Sequence, residues 1–565
     1  MKNVRTSPLS GRSAAVASTI ASLMLLAALP AAALAGPDVT HSDLHDTARY
    51  GPVNIGGDNV YAYAWGSNTC NIGNQDLSWV NGGSPGLAMN AYRLHNGQIR
   101  QIGLGWVKHS CCVANGNGCG TGVVCQPTGS GLRVGCRDVY SAGFNGGQGR
   151  LGPRSGINAY DSTFSAIPTF SGDASARRVR MTEKEMRSAD FPGAQFFGEG
   201  VYVCLEEAPE QALNNATYRQ MTVANTGATP TYQWTVAGTS RVGRPAIYAW
   251  QDHGLGANQP DVNVKITPID IPGEGRLFVG GKVTTVSPGV YRYDYAIYNL
   301  NSHRSAGGIT IPLPAAAGLT GSFAAPAYHS GEPYSNNSWV TSRSGNTATM
   351  ATGQTFAQNA NANAVRWGTL YNMSFQTTAA PAPGLGNVSV SLFRPGSPDS
   401  VTVGGMPVPC VAPEVSTPDT QVSGCREQAV TLNAVTAPSQ FTQSLQWQVE
   451  DRLNPGTFLN VTDSAGPCAI TGSSTTSLTI GCASVADEGR YQLLVTSPCG
   501  NVTAPVVSLT VCVGDVNCDG GNDGTDVEVF FVAWENAQSL SDVNADGGVD
   551  GSDVSYFFEK WSSGC

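Results

Sequence analysis

Two stretches near the C-terminus carry oxygen donors at matched spacing. Asp515, Asn517, Asp519, Asp523 and Asp526 recur 27 residues later as Asp542, Asn544, Asp546, Asp550 and Asp553, and Gly520-Gly521 recurs as Gly547-Gly548. Side-chain oxygens at alternate positions can turn toward one centre, and the glycines permit the sharp bend that lets a backbone carbonyl join them. Carboxylates drawn to about 5 Å repel by about 3 kcal/mol per pair at an effective dielectric near 20. Each loop therefore needs a cation to close. Hard oxygen donors in that number select Ca2+ over zinc or copper.

The spacing resembles the EF-hand calcium loop, with side-chain donors at positions 1, 3, 5, 9 and 12, glycine at 6 and the carbonyls of Gly521 and Gly548 at position 7. A helix is expected after each loop. Val527, Phe530, Phe531 and Trp534 form one apolar stripe, and Val554, Phe557, Phe558 and Trp561 form another at the same spacing. The two stripes can bury each other, giving one small module over 513–565. A loop and one helix, repeated, resembles a type I dockerin, and the closing Ser562-Ser563-Gly564-Cys565 resembles the tails of GC-type dockerins of secreted bacterial proteins. The resemblance implies two Ca2+ sites and a cohesin-like or cell-surface docking partner. Two features depart from it. Asn522 stands where position 8 is usually aliphatic, which implies a weaker first site. Gly524-Thr525 and Gly551-Ser552 only half match the hydroxyl pair that meets a cohesin. Two readings of Cys565 stay open: a disulfide with Cys518, or an attachment point to the cell surface.

The elements that carry this tail are read from the rest of the chain. Lys2, Arg5 and Arg12 precede an uncharged apolar run, and Ala33-Leu34-Ala35 supplies a cleavage pattern, so residues 1–35 are expected to be a secretory signal, with a retained anchor as the rival. No later run approaches the roughly 20 apolar residues of a membrane span. The net charge of −10 becomes −13 once the three signal cations are subtracted, because that segment has no acid. Such a balance disfavours nucleic acid as a partner. Charged residues make up 13% of the chain, against 68 glycines and 33 prolines, a composition of short strands and turns.

The fold class expected is mainly β: a large β-sandwich region over 36–405, single or as two stacked sandwiches, then an immunoglobulin-like sandwich over 406–512. In 290–298, Tyr291, Tyr293, Tyr295 and Ile297 alternate with Arg292, Asp294, Ala296 and Tyr298, predicting one buried and one wetter face. Short runs at 246–250, 262–270 and 387–393 are read as further strands, and the basic stretch 177–187 as a solvated strand or turn. Prolines over 379–409 mark a boundary. Beyond it, Trp447 and the segment "DEGRYQLLV" at 487–495 resemble the core tryptophan and tyrosine corner of immunoglobulin-like domains, although Leu493 stands where the inter-sheet cysteine is usual. The resemblance implies a fold and not an activity; in place of the usual staple, Cys425–Cys499 is expected to tie the sandwich, with Cys468–Cys482 and Cys410–Cys512 as further pairs. Seven cysteines lie between Cys70 and Cys204 and eight between Cys410 and Cys565, so at least one N-terminal thiol is left over.

No catalytic constellation stands out upstream. The GxGxxG at Gly147, Gly149 and Gly152 follows no βαβ pattern, and Ser84 precedes Pro85, which has no N–H to offer an oxyanion. His41, Asp43 and His45 could clip a metal but suit an edge strand better. His109 with the nearby cysteines could do so too, but disulfides are the better expectation. Asp252-His253 and His303-Arg304 are read as structural hydrogen bonding. Segments such as "IGLGWVKHSCC" and "NLNSHRS" resemble large secreted bacterial proteins without an assigned activity. The expected function is thus a secreted modular surface protein, with a β-rich binding or structural region. The alternative is a glycoside hydrolase, for which Glu206, Glu207, Glu210, Asp252, Asp294 and Glu332 are the candidate carboxylates. Tyrosines and tryptophans exposed on a sandwich would equally suit polysaccharide binding.

Overall fold

Strand Val290–Asn299 shows how the N-terminal region is built. Tyr293, Tyr295 and Ile297 enter one core while Ala296 and Tyr298 enter another, and all five are buried. The alternation follows the sequence pattern, but the face expected to be wetter is covered. Asp294 is 2% exposed, and its carboxylate accepts from Gln98 Nε2 at 2.5 Å, Ser374 Oγ at 2.7 Å and Arg292 Nε at 2.9 Å. A strand packed on both sides can carry a charge only when it is paired and bonded in this way.

The computed structural model describes residues 36–113, 115–325, 328, 329, 331–437, 440, 441 and 443–564; the expected signal peptide, residues 1–35, lies outside them. The protein is mainly β, and up to residue 406 its principal sheets are antiparallel and stack as four layers. They have four, nine, five and five strands. Leu87, Met89 and Ala91 of strand Gly86–His95 join Val39, Trp65 and Tyr140 in the core between the first two layers. Ala88, Tyr92 and Leu94 of the same strand join Phe278, Tyr298 and Leu370 between the second and third. Leu277, Tyr295 and Phe375 meet Ile309, Met350 and Val390 between the third and fourth. The stacked alternative for 36–405 is the one observed.

Buried polar clamps set the register of the inner layers. Arg154, 2% exposed, donates to the carbonyls of Met89, Gly105 and Gly368 and to Asn90 Oδ1, all within 3.0 Å. Glu199 accepts from Asn90, Tyr92 and the Ala246 N–H. Two segments differ from expectation. Residues 246–250 form helical turns, Ala246–Tyr248 and Ala249–Asp252, because Pro245 starts them and Ala246, Ile247, Ala249 and Trp250 are all buried; a short apolar run does not distinguish strand from buried helix. The basic stretch 177–187 is solvated only in part. It holds the expected strand, Val179–Thr182, but inside the nine-stranded sheet, and Arg177 stacks on Phe170 at 3.8 Å and Arg178 on Tyr50 at 3.4 Å, while Lys184 stays exposed.

Residues 415–512 form a second body, a six-stranded sheet and a three-stranded sheet sharing one core around the fully buried Trp447. Tyr491 OH donates to the Asp487 carbonyl at 2.6 Å, the corner expected from the sequence, and Leu493 lies opposite Trp447 on the neighbouring strand. The cysteine pairing is partly corrected. Cys468–Cys482 forms as expected, but Cys410 pairs with Cys499 and Cys425 with Cys518. The Cys518–Cys565 pair is thereby excluded, and Cys565 itself lies outside the described residues. Strands Gln421–Cys425 and Val507–Cys512 run parallel, with Cys425 level with Cys512, yet Cys425 bonds the calcium-type loop beyond. With Leu493 filling the core, a cysteine staple between the sheets is unnecessary.

Candidate calcium module

Each loop is drawn together by its own aspartates. Asp515 accepts from the N–H groups of Asp519 at 3.0 Å and Gly520 at 2.9 Å, and Asp542 accepts from Gly547 at 3.1 Å. Asp526 and Asp553, the position-12 residues, are fully buried. Asp526 accepts from Asn517 N–H at 3.1 Å and Asp523 N–H at 2.9 Å, and Asp553 makes the matching pair with Asn544 at 3.3 Å and Asp550 at 2.9 Å. Asp519 and Asp546 accept from the N–H groups of Gly521 and Gly548. Gly520 and Gly547 have φ of 92° and 89°, conformations that glycine alone takes without strain.

Position 9 does a second job. Asp523 and Asp550 are the N-caps of helices Gly524–Glu535 and Gly551–Ser563, each in a reciprocal capping box with position 12. Hydrogen bonds from Thr525 and Ser552 hold these two carboxyls below the usual range. The same hydroxyls accept from Asn517 Nδ2 at 2.8 Å and Asn544 Nδ2 at 2.9 Å. The half-matching hydroxyls are therefore bonded within their own loops.

The helices pack as their stripes require. Phe530 and Phe557 are fully buried and stacked, with centroids 4.1 Å apart and planes 2° from parallel. The repeats then lock each other. Trp534 Nε1 donates to the Asp550 carbonyl at 3.2 Å, and Trp561 Nε1 donates to the Asp523 carbonyl at 2.9 Å. Asn522, the unusual position-8 residue, donates to the Trp561 carbonyl at 3.2 Å, so it latches the first loop to the end of the second helix. The module is also fixed to the preceding sandwich. Cys425–Cys518 enters the first loop at position 4, and the guanidinium of Arg426 donates to the carbonyls of Ser539, Leu540 and Asp542 at the start of the second.

Sequence reasoning treated both tryptophans as core alone and missed the linking roles of Arg426, Asn522, Thr525 and Ser552. The signal for the tryptophans was present, because both fall at the same offset from their loops.

Among the described residues, no three Asp, Glu, His or Cys side chains gather into a ready metal cluster. The loops offer a mixed oxygen set, in which asparagine and a backbone carbonyl share the work with aspartate. Two observations fit a hard cation. None of the eight loop aspartates forms an ion pair with a described Lys or Arg. Asp542 Oδ1 is buried with no hydrogen-bond partner, an acceptor of the kind that costs free energy unless something donates or coordinates to it.

The upstream candidates are engaged elsewhere. His41 is buried in edge strand Val39–Asp43 with Nδ1 3.1 Å from the Gly200 carbonyl, while Asp43 is bonded to Arg219 and Ser240. His45 lies 3.4 Å from Asp46, and no metal clip forms. Of the cysteines weighed with His109, Cys119, Cys125 and Cys136 are bonded in Cys70–Cys119 and Cys125–Cys136, while Cys111 and Cys112 are free thiols. His253 Nδ1 accepts from the Asn258 N–H, and Asp252 binds Tyr218 and Arg244. Arg304 donates to the carbonyls of Arg394 and Pro398. Of the hydrolase candidates, Glu206 accepts from Ser78, Glu207 from Val39 and Asn215, and Glu332 from Arg154 and Ser155. With Glu210 exposed, none of the six lines any of the four described cavities. The exposed large aromatics among the described residues are Phe144 on the short helix Ala142–Asn145, Tyr328 in a loop and Phe558 on helix Gly551–Ser563, three places far apart in the sequence.

No protein-family model matches the chain, and no curated protein matches it. One solved structure that it matches, "Structural basis of T cell specificity and activation by the bacterial superantigen toxic shock syndrome toxin-1", is 16% identical over 18% of this chain and 99% of that one. The TM-score is 0.15, and the likeness carries no argument. The disulfides are compatible with an oxidising, extracellular setting, and no described helix is long and apolar enough to cross a membrane.

Proposed function

We propose that this is an exported modular surface protein whose dockerin-like C-terminal module binds two Ca2+ ions and docks the chain to a cohesin-like or cell-surface partner. The observation that carries it is the unpaired acidity of the two loops, sharpest at the orphaned Asp542 Oδ1. Asp515, Asn517, Asp519, the Gly521 carbonyl, Asp523 and Asp526 would hold the first ion; Asp542, Asn544, Asp546, the Gly548 carbonyl, Asp550 and Asp553 the second. The ion supplies charge neutralisation, and the chain supplies helices that are capped and stacked to present the docking face. The four-layer β region is the binding or structural cargo, with polysaccharide as the first ligand class to test.

Calorimetry of the full chain with Ca2+ is expected to resolve two sites that chelator removes, and a heat-silent titration overturns the assignment. The hydrolase alternative would need two free carboxylates facing a cleft, whereas five of its six candidates are bonded to structural partners. Release of reducing ends from a polysaccharide panel would restore it.

A further inference from the structure

Cys111 and Cys112 are adjacent in sequence, and their Sγ atoms lie 2.8 Å apart, closer than two unbonded sulfurs rest. The segment is held at both ends. Ser110 is tied on one side, its N–H donating to the Gly83 carbonyl and its own carbonyl accepting from the Gly82 N–H, and Val113 packs on the core beyond. Charges of both signs surround the pair: Lys108 lies buried over the Tyr140 ring at 3.7 Å, within reach of the buried Asp138, and both Lys108 and Arg150 act on Cys111. The hydrogen bond to Cys112, followed by burial, raises the Cys111 thiol above its ordinary value while these two cations oppose the rise. The other nearby cysteines are spent in Cys70–Cys119 and Cys125–Cys136, and Cys204 is buried.

We propose that Cys111 and Cys112 are a redox modification site that closes a vicinal disulfide, leaving Cys204 as the one thiol of residues 36–405. The chemistry is exchange with a small-molecule disulfide. One thiolate attacks it and expels a thiol, then the second attacks the mixed disulfide and expels another. The pair loses two electrons and two protons, and the oxidant is reduced to two thiols. Neighbouring Cα atoms are about 3.8 Å apart, shorter than the usual separation of bridged cysteines, so the ring is strained and reopens more readily than the other two bridges. Unlike them, the pair is exposed on one side, Cys112 facing solvent.

The test is a redox titration of the purified full chain in glutathione buffers, quenched by alkylation and read by peptide mass. The expected result is that Cys111 and Cys112 are blocked together under oxidising conditions. They should become alkylated together at a potential where Cys70–Cys119 and Cys125–Cys136 remain closed. In Cys112→Ser the exchange can only stop at the mixed disulfide, so Cys111 should carry one glutathione under oxidising conditions, an adduct absent from the wild-type peptide. Alkylation of both wild-type thiols throughout the titration overturns the proposal, as does a wild-type peptide that carries glutathione on Cys111 or Cys112 in place of an internal bridge. Opening together with the two structural bridges overturns the claim of a labile site. None of these readouts depends on calcium or on the docking module.

Discussion

Trp561 donates its indole N–H to the backbone carbonyl of Asp523, 2.9 Å away across the contact between the two loop-helix repeats. Asp523 caps the first helix and closes the first loop, so the end of the second helix braces the first loop. Trp534 and Asp550 make the mirror contact at 3.2 Å. Each loop is therefore shaped partly by the other repeat, and binding at one site should feel the other.

Trp561→Phe keeps the ring packing and removes the donor. A net hydrogen bond is worth about 1 kcal/mol, so Ca2+ affinity at the first site is expected to fall about fivefold, with a smaller change at the second. Trp534→Phe should reverse the asymmetry. Calorimetry resolves the two sites, and equal losses in both variants would show that the tryptophans act only as core.

Asp542→Ala with Asp546→Ala removes the orphaned oxygen and a second carboxylate from the same loop. The second site is expected to vanish while the first remains, weakened through the tryptophan contact. Loss of both together, with the module still folded by circular dichroism, would contradict two separate sites.

Cys425–Cys518 spans 93 residues of sequence and ties the first loop to the sandwich. By the chain-entropy model a closed loop of this size is worth about 4 to 5 kcal/mol. Cys425→Ser with Cys518→Ser is expected to lower the denaturation midpoint of the sandwich and tail by a comparable amount and to weaken the first calcium site selectively. An unchanged midpoint would mean that Arg426 and the apolar contacts hold the module unaided.

The two helices of the repeated tail were legible because their signals are local: caps and helix stripe fall within one short window, and repetition doubled the signal. The β-rich character was legible from alternation in segments such as 290–298. Layer count was not, since Asp294 and Arg292 read as a solvent face, and only the sheet that carries Gln98 turns that face into an interior. Disulfide partners were harder for the same reason. Cys425 and Cys512 lie side by side on parallel strands, so the partner that Cys425 takes depends on how the following module is seated. Asn522 looked like a flaw in the first loop, whereas its bond to the Trp561 carbonyl depends on a residue 39 positions away.

Glu207 offers a pH test that is independent of calcium. Its carboxyl accepts from Val39 N–H at 2.7 Å and Asn215 Nδ2 at 2.5 Å, and burial pushes it up to about 8 from an ordinary 4.5. The folded state therefore holds this proton more tightly than the unfolded chain. The stability it confers is fully present below about pH 4.5 and is lost as pH rises through about 8, at up to roughly 1.4 kcal/mol per pH unit. His41, on the strand that Glu207 braces, works in the opposite sense. Burial lowers it from 6.5 to about 4, so its contribution is present above about pH 6.5 and is lost as pH falls through about 4. Stability should accordingly pass through a maximum on the acid side of neutrality. Glu207→Gln keeps a carbonyl acceptor for Val39 and removes the titration, so its denaturation midpoint should decline less than wild type between about pH 6 and about pH 9. Chemical denaturation followed by tryptophan emission measures this, and parallel declines in the two proteins would mean that Glu207 does not hold its proton in the folded state.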